Sequence, residues 1–412
     1  MSITDAITSS NMVSDKVVSS DRPHAAIPAG YDDLAQNALT GNVFFNRPLL
    51  EAAFNHLAPP SVALATARNS TGALIAAAPV QRERWGYGPI SAFQPLSVWH
   101  HPYSMLGMPL IDKDKPLEAA CALMDALTAL PSGPPILLMN RIDANSSFLN
   151  VLEEAISATG RTLRVLNRYQ RAALDLPETA GLTQRDLLGS NSMRTIKTSH
   201  RKLSEHGTVR YKQAATRSEI DDQLGMFFAL EASGWKKSAG TALLTIGHTP
   251  FVRDVVLELA EADKARLYSV CLDGKPVAST LAICQTDVCK DDVGKKPGNT
   301  RTWMPWKIGV DDTYRAAGPG TLNLAAMTKD LLTETQETGT GLYLDSLADS
   351  DSVIANRLWR QKKELVDLVI DLKPGGSTAF KPIFLAEIAR QSARKAAKRA
   401  RATLSSQKHP GR

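Results

Sequence analysis

Three short stretches of this sequence hold residue types from which group-transfer chemistry can be built. Between Trp303 and Asp330 the chain reads WMPWKIGVDDTYRAAGPGTLNLAAMTKD, which sets Arg315, Gly318 and Gly320 at the spacing R-x-x-G-x-G ahead of an apolar run. Glycines admit close approach of backbone to ligand, and the free N–H groups and dipole at a helix start favour an anion. A pyrophosphate would fit such a cradle, with Arg315, Gly318, Pro319, Gly320 and Thr321 as its contacts. Pro319 withholds its donor only where the first turn has no intrahelical use for it. A bare helix-entry turn uses the same residues, so the spacing alone does not decide.

Three ionisable side chains are candidates for proton handling. Glu231 stands at helical spacings from Leu224, Phe227, Phe228 and Trp235, on an apolar stripe where burial would raise its pKa and suit it to act as a base. A structural carboxylate paired with Lys236 or Lys237 is the other reading. Asp345 alternates with Tyr343 and Leu347 along a strand-like run; it serves as base or acceptor ligand, or caps the following loop. Lys307 is expected opposite Met304, Trp306, Ile308 and Val310, either in the chemistry or in an ion pair with Asp345 or Glu231. Trp235 and Lys236 are the expected substrate contacts. His100 and His101 have no acidic or histidine partner at ligand spacing, so no metal is expected.

Positioning these groups takes a sizeable α/β chain. The 412 residues, 43% hydrophobic and 22% charged, are ordinary for a globular protein of two or three domains. No apolar run approaches the roughly 20 residues needed to span a bilayer. The N-terminus lacks the basic and apolar regions of a secretory signal, and a cytoplasmic location is expected. Four scattered cysteines exclude a disulfide scaffold. Lys381–Arg412 carries nine basic residues against one Glu; setting its +8 against the chain's +6 leaves −2 for the rest. That tail suits an anionic membrane surface at the inner face and lacks the aromatic interleaving of specific single-strand nucleic-acid recognition.

Both halves read hairpin, strand region, helix, strand, helix, strand. In the first half the hairpin is Ser61–Ala67 with Ala73–Gln81, and the last strands are Thr162–Leu166 and Arg171–Leu174. In the second, a helix opens at Asn191 or Ser192, a hairpin turns at Asp273-Gly274, and strands follow at Met304–Val310, Leu342–Leu347 and Leu365–Leu372. The expected organisation is residues 1–35 disordered, 36–178 and 179–378 two similar α/β units with mixed sheets flanked by helices, and 379–412 a basic helical tail. Only the second unit carries the glycine cradle; the first has Met108–Lys113 at the matching point.

The blocks EASGWKKSAGTAL (Glu231–Leu243), WKIGVDDTYRAAGPG (Trp306–Gly320) and LDSLADSDSVIANRLW (Leu344–Trp359) resemble the CelD/BcsL-type acetyltransferase group of the GNAT acyltransferase superfamily, related to FemAB-like proteins with two GNAT-type units. The resemblance spans roughly Asn42 to Leu372. It implies transfer of an acyl group, acetyl by default, from acyl-CoA to an amine or hydroxyl of a small-molecule or envelope polysaccharide precursor, without a metal. It also implies a slot between the strand at Met304–Val310 and the strand at Leu342–Leu347. Two other readings stand beside it: a FemAB-like transfer from aminoacyl-tRNA, and a non-catalytic scaffold docked to a membrane by its tail.

Overall fold

The computed structural model describes residues 27–83, 94–130, 133–176, 179–233, 239–288, 299–348 and 352–407. The first half comprises α1 (Tyr31–Gln36), α2 (Arg47–His56), β1 (Ala63–Arg68), β2 (Leu74–Arg82), β3 (Leu96–Val98), β4 (Leu110–Ile111), α3 (Pro116–Thr128), β5 (Ile136–Asp143), α4 (Ser147–Ala158) and β6 (Thr162–Leu176). The second comprises α5 (Gln184–Ser204), β7 (Val209–Ala214), α6 (Arg217–Glu231), α7 (Leu243–Ile246), α8 (Thr249–Glu261), β8 (Ala265–Leu272), β9 (Lys275–Val288) and β10 (Asn299–Val310). It continues with α9 (Pro319–Thr338), β11 (Gly341–Asp345), α10 (Val353–Leu358), β12 (Gln361–Asp371) and α11 (Phe380–Gln407). Among the described residues no helix is long and apolar enough to cross a membrane.

Local chemistry accounts for several element boundaries. Thr183 and Asp186 form a capping box that starts α5 well before Asn191, and Gly189, at φ 72°, kinks the helix. Thr216 and Glu219 start α6 in the same way. Asp273 and Gly274, at φ 47° and 85°, make the tight turn between β8 and β9 that two consecutive left-handed residues permit.

The twelve strands of the described residues join one mixed sheet, in the order β1-β2-β3-β5-β12-β6-β11-β10-β9-β8-β7 with β4 beside β2. Long-range pairing decides two features that sequence order does not. The two short strands expected at Thr162–Leu166 and Arg171–Leu174 are a single strand of 15 residues, because β6 pairs with β12 over Thr162–Ala173 and with β11 over Ala173–Leu176. The chain's last strand, β12, lies between β5 and β6 among the strands of the first half. The two halves thus share a continuous sheet, and β6 carries it across. Helices α5 and α9 cover one face of the second half's strands, while α6 and α8 cover the other, where α8 also packs on α2.

Candidate active site

Strand β10 pairs in parallel with β11 only over Thr300–Trp303 and Gly341–Leu344, whereas its antiparallel pairing with β9 continues to Val310↔Ala278. Beyond Trp303 the two central strands therefore part, and a slot opens in the plane of the sheet. A bulge marks the same place. The ladder steps from Pro305↔Ala282 to Lys307↔Leu281, leaving Trp306 as an extra residue. This overturns the simple alternation expected for Met304–Val310. Trp306 and Lys307 both face the α6 side, where they meet Tyr103, while Val310 faces α9.

On the α9 side lies the glycine cradle. Asp311 accepts the Thr313 N–H at 2.9 Å and opens a 3₁₀ turn, Asp312–Ala317, which Gly318 ends at φ 68° as it starts α9. A Cβ on Gly318 would lie 2.9 Å from Ser199 Oγ of α5, and one on Gly320 would lie 3.2 Å from Val310 Cγ2 and 3.6 Å from Ile354 Cδ1. Close packing thus accounts for glycine at both positions whether or not a phosphate binds. The amides of Thr321 and Leu322 turn onto Gly318 O at 3.0 and 3.2 Å. Pro319, Gly320 and Thr321 are buried, while the Arg315 side chain is 74% exposed, 3.9 Å from Asp312.

The opposite face gathers ionisable and aromatic groups from both halves. Helix α6 ends on Glu231, which is buried, accepts the Leu243 N–H at 2.9 Å, and backs so closely on Gly309 that a Cβ there would sit 2.9 Å from Glu231 N. A first-half loop, residues 99–108, reaches across the sheet to this point. Trp306 Nε1–H donates to Tyr103 O at 2.9 Å, Lys307 Nζ lies 3.8 Å above the Tyr103 ring, and Tyr103 stacks on Phe251 of α8. The Tyr103 hydroxyl lies 2.6 Å from Nδ1 of His248, the residue before α8. Burial, and then the charge of Glu231, pushes the phenol up to about 12, while burial, and then Lys307, lowers the imidazole. At neutral pH the phenol keeps its proton and the imidazole is uncharged, so their hydrogen bond joins two neutral groups. His101 is deeper, with burial pushing it down to about 3; its Nδ1 accepts the Tyr103 N–H at 3.3 Å.

Across the slot, at the end of β11, Asp345 is fully buried. Arg171 Nη2 donates to its Oδ2 at 2.5 Å, Nε approaches Oδ1 at 2.5 Å without hydrogen-bond alignment, Lys363 Nζ lies 3.7 Å away, and the Leu347 N–H donates at 3.1 Å. Burial by itself would raise this carboxyl, but Arg171 and Lys363 together hold it below its ordinary value, which makes it a weak base. Arg171 also donates to Met105 O at 2.9 Å, so the same loop is fastened on both sides of the slot.

Of the residues singled out in the sequence, Glu231 and Lys307 come together around Tyr103 on one flank. Asp345 belongs to the other flank, and Arg315, Gly318, Pro319, Gly320 and Thr321 to the opposite face. Trp235 and Lys236 lie outside the described residues. His248, Arg171 and Lys363 carry no local motif, and only the fold brings them to the slot. Tyr103 had a signal, the aromatic and histidine-rich passage around it, but core packing explains such passages equally well.

Residues 190–290, from within α5 to just past the end of β9, match the family model described as an acetyltransferase (GNAT) domain; the matched segment ends before the glycine cradle. No curated protein matches the sequence. Among solved structures, FemX superposes with a TM-score of 0.50 at 10% identity, covering 86% of this chain and 97% of its own. L-PGS from Bacillus licheniformis gives 0.46 at 12% identity over 91% and 99%, and a tandem GNAT protein from the clavulanic acid biosynthesis pathway gives 0.40 at 12% over 84% and 94%. The likeness to FemX is one of fold alone, a mixed sheet flanked by helices.

Proposed function

We propose that this GNAT-fold chain transfers an acyl group, acetyl by default, from a coenzyme A thioester to an amine or hydroxyl of a small-molecule or envelope polysaccharide precursor. The observation that carries this reading is the parting of β10 from β11 directly after Trp303↔Leu344, with the start of the 20-residue helix α9 on one side. An extended, amide-bearing arm can lie along a parted strand edge as an added strand does. The pyrophosphate then meets the dipole at the start of α9, with the Gly318–Gly320 backbone beneath it and Arg315 as the exposed cation. With the donor and α9 occupying one face, the acceptor approaches from the face bearing Glu231, Lys307 and Tyr103. Its nucleophile adds to the thioester carbonyl, the carbon–sulfur bond breaks, and one proton must leave the nucleophile. Positioned proton transfer of this kind contributes about 10²–10⁴-fold. Glu231 orients the acceptor or receives that proton; Asp345 holds Arg171 and the loop.

Isothermal titration with acetyl-CoA tests the donor site. The wild type should bind, and Arg315→Ala should weaken binding by about three- to tenfold, the scale of one exposed charge-assisted contact, without changing thermal stability. Gly320→Glu would be a poor probe, because Val310 and Ile354 fill the space its side chain needs. No heat with acetyl-CoA, or equal affinity in the two proteins, would sink the assignment. Saturable binding of aminoacyl-tRNA without acetyl-CoA binding would instead select the aminoacyl donor.

A further inference from the structure

We infer that His248, acting through the Tyr103 hydroxyl, is the outlet for the proton lost by the acceptor. This deepens the acyl-transfer reading and rests on it. Three features of the geometry lead there. The Tyr103 ring lies beneath Lys307 on the α6 side of the sheet, just past the point where β10 parts from β11, and this is the face the donor leaves to the acceptor. The Tyr103 hydroxyl is 2.6 Å from His248 Nδ1. His248 is itself only partly buried at the start of α8, which gives the imidazole a route to solvent.

The proton balance closes without an added reagent. As the amine forms its bond to the thioester carbon, its surplus proton passes to Tyr103 Oη while the proton already on Oη passes to His248 Nδ1. The imidazolium then returns a proton to solvent, and the departing CoA thiolate takes one from solvent. Among the described residues, the ionisable groups around this pair are His101 on the same loop, Lys307 on β10 and Glu231 at the end of α6. Burial first, and then the charge of Lys307, opposes protonation of His248, so the imidazole is a proton acceptor at pH values below its ordinary 6.5. Glu231 opposes ionisation of Tyr103, so the phenol relays a proton and does not become a standing phenolate. His248 is thus a positioning and relay residue, since it touches the acceptor only through Tyr103.

The experiment follows thiol release from acetyl-CoA against pH, with glucosamine as the amine probe and with water alone, in the wild type, His248→Gln, Tyr103→Phe and Lys307→Met. In the wild type kcat should fall on an acid limb centred below pH 6.5. His248→Gln keeps an acceptor for the phenol but cannot take up the proton. It should lose that limb and at least about tenfold in kcat at pH 7, with KM for acetyl-CoA unchanged. Tyr103→Phe should behave alike, and Lys307→Met should move the limb upward. An unaltered acid limb in His248→Gln overturns the relay and leaves the acyl-transfer reading standing, even if kcat or melting temperature drops. No thiol release by the wild type with either probe removes both.

Discussion

On the β11 flank of the slot, Asp345 is enclosed by Arg171 and Lys363, and Lys363 pairs in turn with Asp143 at 2.7 Å. On the β10 flank, Tyr103, His248 and Lys307 are stacked and hydrogen-bonded, but the phenol and imidazole there are held uncharged at neutral pH. The first cluster commits its charges to one another, so titrating it would leave a buried ion without a partner. The second sits where neutral groups can exchange a proton without stranding a charge. Sequence position alone ranked Asp345 beside Glu231 as a base, yet the partners of Asp345 suit it to holding the loop across the slot. In the proposed reading, what would separate a structural carboxylate from a reactive group is which neighbours the fold supplies.

The largest expected effect comes from the saturated flank. Asp345→Asn leaves Arg171 and Lys363 facing a neutral amide, and breaking a buried pair from one side typically costs about 3–5 kcal/mol. Chemical denaturation should report a loss of that order. The pH dependence has a definite sign. Because the folded carboxyl is held below its ordinary 3.8, it adds stability above that value and loses it as pH falls through the lower folded value. The stability gap between wild type and Asp345→Asn should therefore narrow below about pH 4. An Asp345→Asn protein with wild-type stability and no activity would break the comparison and restore Asp345 as a base.

The asymmetry between the flanks also accounts for what could be read from the sequence. The buried stripe on α6 that carries Glu231, the Asp273-Gly274 turn and the glycine entry to α9 are local patterns, each written within one element. The bulge at Trp306 is not local. Nothing in Met304–Val310 announces that β9 will skip a residue, so strict alternation put Lys307 on the wrong face relative to Trp306. The insertion of β12 between β5 and β6, and the joining of two expected strands into one β6, depend on pairing across more than 180 residues. Arg171 reaches Asp345 only because of that joining.

An intermediate effect is expected beneath the slot. Gly318→Ala must hold a left-handed φ of 68° and bring a Cβ to 2.9 Å from Ser199 Oγ. The backbone alone costs roughly 1–2 kcal/mol, and the contact with Ser199 adds to it. Gly318→Ala combined with Ser199→Ala should recover the steric part but not the conformational part, measurable as a double-mutant cycle in denaturant. Full recovery would mean that the turn relaxes out of the left-handed region. Because this residue serves the packing of α5 on α9, its loss should lower stability and donor binding together, unlike Arg315→Ala.

The smallest stability effect is expected at Tyr103, which makes it the sharper test of the contrast. Phenylalanine retains the stacking on Phe251 and the ring beneath Lys307, and it removes one hydrogen bond between neutral groups. A bond of that kind is worth about 0.5–1.5 kcal/mol net. Tyr103→Phe should therefore fold with stability within about 1.5 kcal/mol of the wild type. The difference should also depend on alkaline pH. The folded phenol is pushed up from 10.0 to about 12, so its contribution is fully present below pH 10 and is lost as pH rises through about 12. The wild-type advantage over Tyr103→Phe should shrink across that window. A loss as large as that of Asp345→Asn would place Tyr103 among the structural pairs, and the β10 flank would no longer differ from its opposite.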